Sequence, residues 1–286
     1  MSFEPALSEV RSVDDLRATV AAARATGQKV ALVPTMGALH VGHQALIRQA
    51  AEQADLVVVS VFVNPTQFGP NEDLASYPRD ETGDLEKIAE AGGHVVYLPP
   101  AEVMYPPGFC TTITVAGPSQ GLCGAARPIH FQGVATVVAK LLIQCGPDMA
   151  FFGQKDYQQL QVIRRLVTDL NLSIEIVGVE TVREPDGLAL SSRNAYLSSE
   201  QRKLAPELVR TLRRVAADIL GGADVEDCAV WGREELLALG FDAVDYLEVR
   251  DADSLEPIAE LEAPARILVA AHLGRARLID NISLEP

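Results

Sequence analysis

The run LVVVSVFV, Leu56–Val63, decides the fold. It carries a single serine and no polar alternation, so a strand built from it has no face for water. Such strands belong to parallel sheets covered by helices on both sides. Working outward, KVALVPT (29–35), HVVYLP (94–99), MAFFG (149–153) and IEIVGV (174–179) are further strand candidates, and TTITVA (111–116) is another. Between them lie stretches with helical periodicity. SVDDLRATVAAARATG (12–27) opens on Ser12 as an N-cap, has Asp15 three residues later and stops at Gly27. LHVGHQALIRQAAEQA (39–54), DLEKIAEAGG (84–93), FQGVATVVAKLLIQ (131–144) and DYQQLQVIRRLVTDL (156–170) follow the same pattern. Strands alternating with helices of this length predict an α/β fold, a Rossmann-like doubly wound parallel sheet whose ligands sit beyond the carboxyl ends of its strands.

After Val182 the pattern changes. REPDGLALSSRNAYLS (183–198) has little periodicity, 199–222 and 228–240 read as helices, and AVDYLEVRD, ARILVAAHLG and RARLIDNISL close the chain as strands. Two helices followed by three strands predict a smaller α+β domain with an antiparallel sheet. The expected division is a catalytic domain over 1–182 and a C-terminal lid domain over 183–286. A chain of 286 residues is long enough for two cores.

Composition narrows the function. The formal charge of −15 argues against a general nucleic-acid binder, which needs clustered Lys and Arg, yet leaves room for a small anionic ligand held by a few local cations. The four cysteines have neither zinc nor disulfide spacing, and no stretch nears the ~18 apolar residues of a membrane span. With no basic-then-apolar leader pattern in MSFEPALSEV, the expectation is a reduced, cytoplasmic enzyme without a membrane or nucleic-acid partner.

PTMGALHVGHQALIRQA (34–50) puts His40 and His43 three apart where a strand gives way to a helix. Zinc would need a third ligand, which no nearby HExxH or cysteine supplies, and rings packed without function would need polar partners. A helix start offers free N–H groups and a partial positive charge, so the pair fits a phosphate best. Asn64 and Gln67 bracket a proline after the Leu56–Val63 strand and suit a small polar substrate, with an ordinary turn as the alternative. Lys155 stands at a helix start, the wrong end for a cation unless an anion joins it. Ser191, Ser192 and Arg193 offer hydroxyls and a guanidinium fork to a polyphosphate. Arg127 and His130 precede another helix with a similar logic, balanced by the reading of a plain loop anchor.

Five ordered blocks, PTMGALHVGH, VNPTQFGPNEDLASYPRD, RPIHFQGVATVV, FGQKDYQQL and DGLALSSRN, resemble the pantothenate synthetase (pantoate–β-alanine ligase) family of the HxGH nucleotidyltransferase superfamily. The blocks span most of the first two-thirds of the chain. Ile129 and Gln154 stand where the family usually has glycine and glutamate. The resemblance implies ATP-dependent condensation of pantoate with β-alanine through a pantoyl adenylate, releasing AMP and pyrophosphate, with Mg2+ accompanying ATP and a homodimer as the assembly. It implies that His43, His40, Lys155 and Arg193 serve catalysis. ATP would be bound by Met36, Gly37, Ala38, Leu39, His40, Val41, Gly42 and His43. To these it adds Gly153, Gln154, Lys155, Asp156, Val182, Leu190, Ser191, Ser192 and Arg193. Gln67, Gln159 and Asn64 would hold pantoate or β-alanine. Protein ligands for magnesium are left unassigned, Asp84 being a weak candidate. Another HxGH adenylyl- or cytidylyltransferase would share the histidines but not VNPTQF or KDYQQL, and a non-catalytic nucleotide-binding module would not need the cations.

Overall fold

The computed structural model describes residues 7–70 and 72–286. It divides into two compact units. The first runs to Val115 and takes in Ile129–Gln154 and Val162–Glu180; the second comprises Ala116–Pro128, Lys155–Gln161 and Thr181–Pro286.

The first unit is built on six parallel strands: β1 (Ser8–Val10), β2 (Val30–Thr35), β3 (Leu56–Val61), β4 (Val95–Tyr97), β5 (Met149–Gly153) and β6 (Glu175–Val179), in the order β1-β4-β3-β2-β5-β6. Val57, Val58 and Val59 of β3 have no exposed surface, as its unbroken apolar run demands. Each such valine contributes about 1.5–3 kcal/mol relative to exposure. Helices α1 (Val13–Ala25), α2 (Val41–Gln53), α3 (Glu81–Glu90) and α6 (His130–Cys145) lie among these strands in sequence, with the four-residue α4 (Ala101–Met104). The Ser12 hydroxyl oxygen accepts the Asp15 amide at 3.1 Å, the expected cap of α1. Strand order reverses between β2 and β5, so the crevice beyond Thr35 and Gly153 is the topological switch point, where ligands bind in open α/β sheets.

The second unit holds the antiparallel sheet β7 (Ala243–Asp251), β8 (Ala265–Leu273) and β9 (Ala276–Leu284), with α8 (Ser199–Leu204), α9 (Glu207–Leu220), α10 (Val225–Leu239) and the five-residue α5 (Leu122–Ala126). Its core joins Leu208, Leu212 and Val215 of α9 to Ile267, Val269 and Ala271 of β8. Helix α7 (Tyr157–Asp169) contributes its first five residues to this unit and the remainder to the other.

Two expectations change. TTITVA is not a strand: the Ile113 amide donates to Thr136 Oγ1 at 3.0 Å and Thr114 Oγ1 accepts from Gln132 Nε2 at 3.3 Å, so side chains of α6 take the bonds a neighbouring strand would have made. The helical stretch 199–222 is two helices, α8 and α9, with Pro206 between them. Proline has no N–H to continue the helix ladder and clashes with the preceding turn.

Candidate functional site

Between β2 and α2 the chain must reverse from strand to helix within five residues. Gly37 (φ 82°) and Ala38 (φ 51°) take left-handed conformations to do so. A Cβ on Gly37 would lie 2.9 Å from Asp84 Oδ2, so glycine is demanded by space as well as by backbone. His40 is the N-cap of α2. Its Nδ1 accepts the Gly42 amide at 3.1 Å, while His43 Nδ1 accepts the His40 amide at 3.3 Å, a reciprocal capping box made of two imidazoles. The ring centroids are 4.2 Å apart. A ring nitrogen that accepts a hydrogen bond bears no proton, so each neutral ring carries its proton on Nε2.

Asp84, on the first turn of α3, is 2% exposed. Its Oδ2 accepts the Ala38 amide at 2.9 Å and its Oδ1 the Leu39 amide at 2.6 Å. Burial raises its pKa above the usual carboxylate value; the Leu39 and Ala38 amides and the Lys87 charge pull it back, and Asp80 raises it further.

A second knot of polar groups follows β3. Asn64 (1% exposed) donates through Nδ2 to Gln67 Oε1 at 3.0 Å and to the Gly133 carbonyl at 3.2 Å. Its Oδ1 accepts from the Thr66 hydroxyl at 2.9 Å and the Tyr105 hydroxyl at 2.7 Å. With both ends of the Asn64 amide fixed, Gln67 must turn its carbonyl toward Asn64 and its Nε2 toward Met36, whose sulfur lies 3.1 Å away. The Met36–His43 turn and Gln67 are thus neighbours. His130 Nδ1 lies 3.1 Å from the Gln67 carbonyl oxygen, and α6 runs so close to the Pro65–Gln67 turn that a Cβ on Gly133 would sit 2.4 Å from the Thr66 oxygen. At the end of β5, Gln154 Nε2 donates to the Gly178 carbonyl at 3.2 Å, a bond that the carboxylate of a glutamate has no hydrogen to make. Ile129 takes φ −95°, a conformation open to any L-residue, so the missing glycine leaves no backbone strain.

In the second unit, the Lys155 side chain is 19% exposed, and its Nζ lies 3.4 Å from Asp156 Oδ2. Asn281 Nδ2 on β9 donates to the Lys155 carbonyl at 2.9 Å. Ser191 Oγ accepts the Arg193 amide at 3.2 Å and starts the 3₁₀ turn Ser192–Tyr196, which also packs on β9; the Leu190 amide bonds the Val182 carbonyl at 3.0 Å. Gln159 is half-buried, whereas Gln158 beside it is buried and fixes the 118–123 segment.

The first unit thus joins Met36–His43, Asn64 and Gln67, and the second brings Lys155, Asp156 and Ser191–Arg193 to β9. Tyr105 and Gly133 were not expected from the sequence as site residues, and Asp84 only as a weak magnesium candidate. Of these, only Gly133, a glycine inside a helical run, left a local signal. Among the described residues no helix is long and apolar enough to cross a membrane, and no group of three or more His, Cys, Asp or Glu side chains is arranged to hold a metal.

The pantoate-beta-alanine ligase family matches residues 8–283. The pantothenate synthetase of Rhodospirillum rubrum is 63% identical over 98% of this chain and 99% of its own, and that of Paramagnetospirillum magneticum 58% identical over 97% and 98%. Among solved structures, the pantothenate synthetase of Thermus thermophilus superposes with a TM-score of 0.92 at 47% identity, covering 98% of this chain and 100% of that one. The pantoate-beta-alanine ligase of Francisella tularensis, complexed with beta-gamma ATP and beta-alanine, gives 0.79 at 33% identity over 97% of each chain.

Proposed function

The chain belongs to the pantoate-beta-alanine ligase family, and from that premise we propose how its residues divide the work. It is an ATP-dependent ligase with pantothenate synthetase activity, condensing pantoate with β-alanine.

The reaction is proposed to run in two displacements. The pantoate carboxylate attacks the α-phosphorus of ATP, the bond to the bridging oxygen breaks, and pyrophosphate leaves. The β-alanine amine then attacks the carbonyl carbon of pantoyl adenylate, AMP leaves, and the nitrogen gives up a proton. Neither step needs a protein nucleophile. Catalysis comes from alignment and from donors placed where negative charge grows.

The observation that carries this reading is the imidazole capping box. With both Nδ1 atoms accepting backbone amides, His40 and His43 offer Nε2–H donors to the phosphoryl oxygens without first taking up a proton. The rest of Met36–His43, with Gly153, Gln154, Asp156, Val182 and Leu190, is assigned to the nucleotide. Lys155 and Arg193, with Ser191 and Ser192, are assigned to its polyphosphate, where fixed cations and hydroxyls suit spread negative charge. Gln67 is assigned to pantoate, since its locked amide directs an N–H rather than an oxygen away from Asn64, the end that suits a carboxylate. Gln159 is its proposed companion, and Asn64 serves by holding Gln67.

Magnesium is proposed to arrive with ATP, bound through the phosphates and keeping most of its waters. Asp84, with each oxygen bonded to a backbone amide, is poorly disposed to be its ligand. A homodimer and a cytoplasmic setting, where ATP is made, complete the proposal; sedimentation of the purified protein tests the dimer. The test of the central reading is His43→Ala, expected to lower single-turnover, pantoate-dependent pyrophosphate release by about 10²–10³-fold, the usual effect of losing one transition-state donor. Unchanged adenylation in the folded variant removes His43 from the role.

A further inference from the structure

The donors at the start of α2 are only as well placed as the turn that carries them, and that turn is clamped by a side chain from a different element. Asp84 lies outside all five blocks that resemble the family. Its two oxygens take the amides of Ala38 and Leu39, the two residues immediately before His40, and its Oδ2 fills the space a Gly37 side chain would need. One carboxylate thus bonds two consecutive residues and abuts a third, Gly37, whose own amide donates to Thr35 Oγ1 at 3.3 Å. Two of them hold left-handed conformations, and one of those, Ala38, is not a glycine and relaxes to the right-handed or extended region when released.

Docking of α3 does not depend on this contact. Ile88 is fully buried in the first unit's core with Leu85 packed against that core, and Gln44 Nε2 of α2 donates to the Lys87 carbonyl at 3.2 Å. A carboxylate serving only to hold the helix in place would be redundant beside these. Its pairing with two adjacent amides also demands two acceptor oxygens at once, which an amide side chain does not have.

We propose that Asp84 is the positioning residue of the adenylation step: its carboxylate holds the Gly37–Leu39 turn in the conformation that aims the Nε2–H groups of His40 and His43 at the reacting phosphate. This rests on the reading of the two histidines as phosphate donors, and it assigns Asp84 no contact with substrate.

The experiment compares Asp84→Asn, His43→Ala and the double variant in full-length protein. The readouts are single-turnover adenylation, the pantoate KM, thermal unfolding and the ¹⁵N spectrum of labelled histidine rings. Asp84→Asn is expected to lower the adenylation rate by about 10²-fold, the effect of a displacement near 1 Å at a reacting group. The pantoate KM stays close to the parent's, and the ring signals of a neutral Nε2–H tautomer broaden or shift. Asp84→Asn should slow the His43→Ala background by clearly less than it slows the parent, only the share carried through His40 being left to lose, because residues acting through one another are not additive. Equal rates per folded molecule in Asp84→Asn and the parent overturn the proposal, as does a double variant in which the two single losses multiply in full. Asp84→Ala is the second perturbation; failure of both Asp84 variants to fold overturns the positioning role in favour of a structural one. If His43→Ala itself adenylates normally, the donor reading fails instead, and the two failures are told apart.

Discussion

Replacing Gly133 by alanine should damage pantoate binding by shifting the turn that carries Gln67. The added Cβ would lie 2.4 Å from the Thr66 carbonyl oxygen and 2.6 Å from the Cα and N of Gln67, all of them backbone atoms that have no rotamer to escape into. Ordinary contact begins at 3.4 Å, so helix and turn must part by about 1 Å. Overpacking of this kind costs about 1–3 kcal/mol, or a few degrees of Tm. The larger effect is functional. Asn64 bonds the Gly133 carbonyl and orients Gln67, so the displacement passes straight to the amide assigned to pantoate. A shift near 1 Å at a substrate-positioning group can cost about 10²-fold, and that loss is expected in kcat/KM for pantoate, with ATP binding nearly unchanged. Steady-state kinetics with each substrate varied in turn, alongside thermal unfolding, measure both. Pantoate kcat/KM within about threefold of the parent, under 1 kcal/mol of transition-state energy, would refute the account of how Gln67 is held.

Gln67→Glu keeps the acceptor for Asn64 but puts an anionic oxygen where Nε2 stood; the pantoate KM should rise about 10- to 100-fold, matching a lost charge-assisted hydrogen bond of ~1.5–3 kcal/mol. An unchanged KM takes Gln67 out of the pantoate site. For Asp84, whose folded pKa is raised by burial, the folded state holds more protons than the unfolded one above the ordinary value of 3.8, so stability from this group declines as pH rises through the folded pKa. The Tm of Asp84→Asn relative to the parent should therefore climb as the pH rises above the ordinary carboxylate value of 3.8, and a flat difference contradicts the sign. In the second unit, Arg183 grips Asp280 through Nη1 at 2.6 Å and Nη2 at 2.9 Å, with the Asp280 side chain 1% exposed. Asp280→Ala leaves the guanidinium with only the Gly187 and Asn281 carbonyls and should destabilise that unit by about 3 kcal/mol, the low end for breaking a buried pair, in denaturant unfolding.

The sheet was legible because β-branched runs such as Leu56–Val61 leave a strand no alternative to burial on both sides. Ser8–Val10 escaped notice since three residues at a sheet edge carry too little pattern to read. TTITVA misled for the opposite reason: its alternation was real, but Thr136 and Gln132 of α6 satisfied its polar groups from the side. The histidines were readable from spacing, while their tautomer needed the amides at 3.1 and 3.3 Å. Asp84 lies 45 residues from Leu39, and no local pattern distinguishes it from the other acids of a helix start. Gln154 looked like a lost charge in sequence and turned out to be a hydrogen-bond donor to β6.

The makeup of the second unit has a consequence in time. Gln158 holds the 116–128 segment by donating to the carbonyls of Pro118, Gln120 and Gly121 and accepting the Cys123 amide, while the Cys123 sulfur rests 3.0 Å from the Tyr246 hydroxyl and 3.5 Å from Arg277 Nη1. Tyr246 follows Cys123 by 123 residues. At about 5–20 residues per second, a ribosome needs roughly 6–25 s to supply that partner. Through that interval the Cys123 side chain lacks the β7 hydroxyl it rests against, and the nascent chain must shield it by other means until β7 emerges.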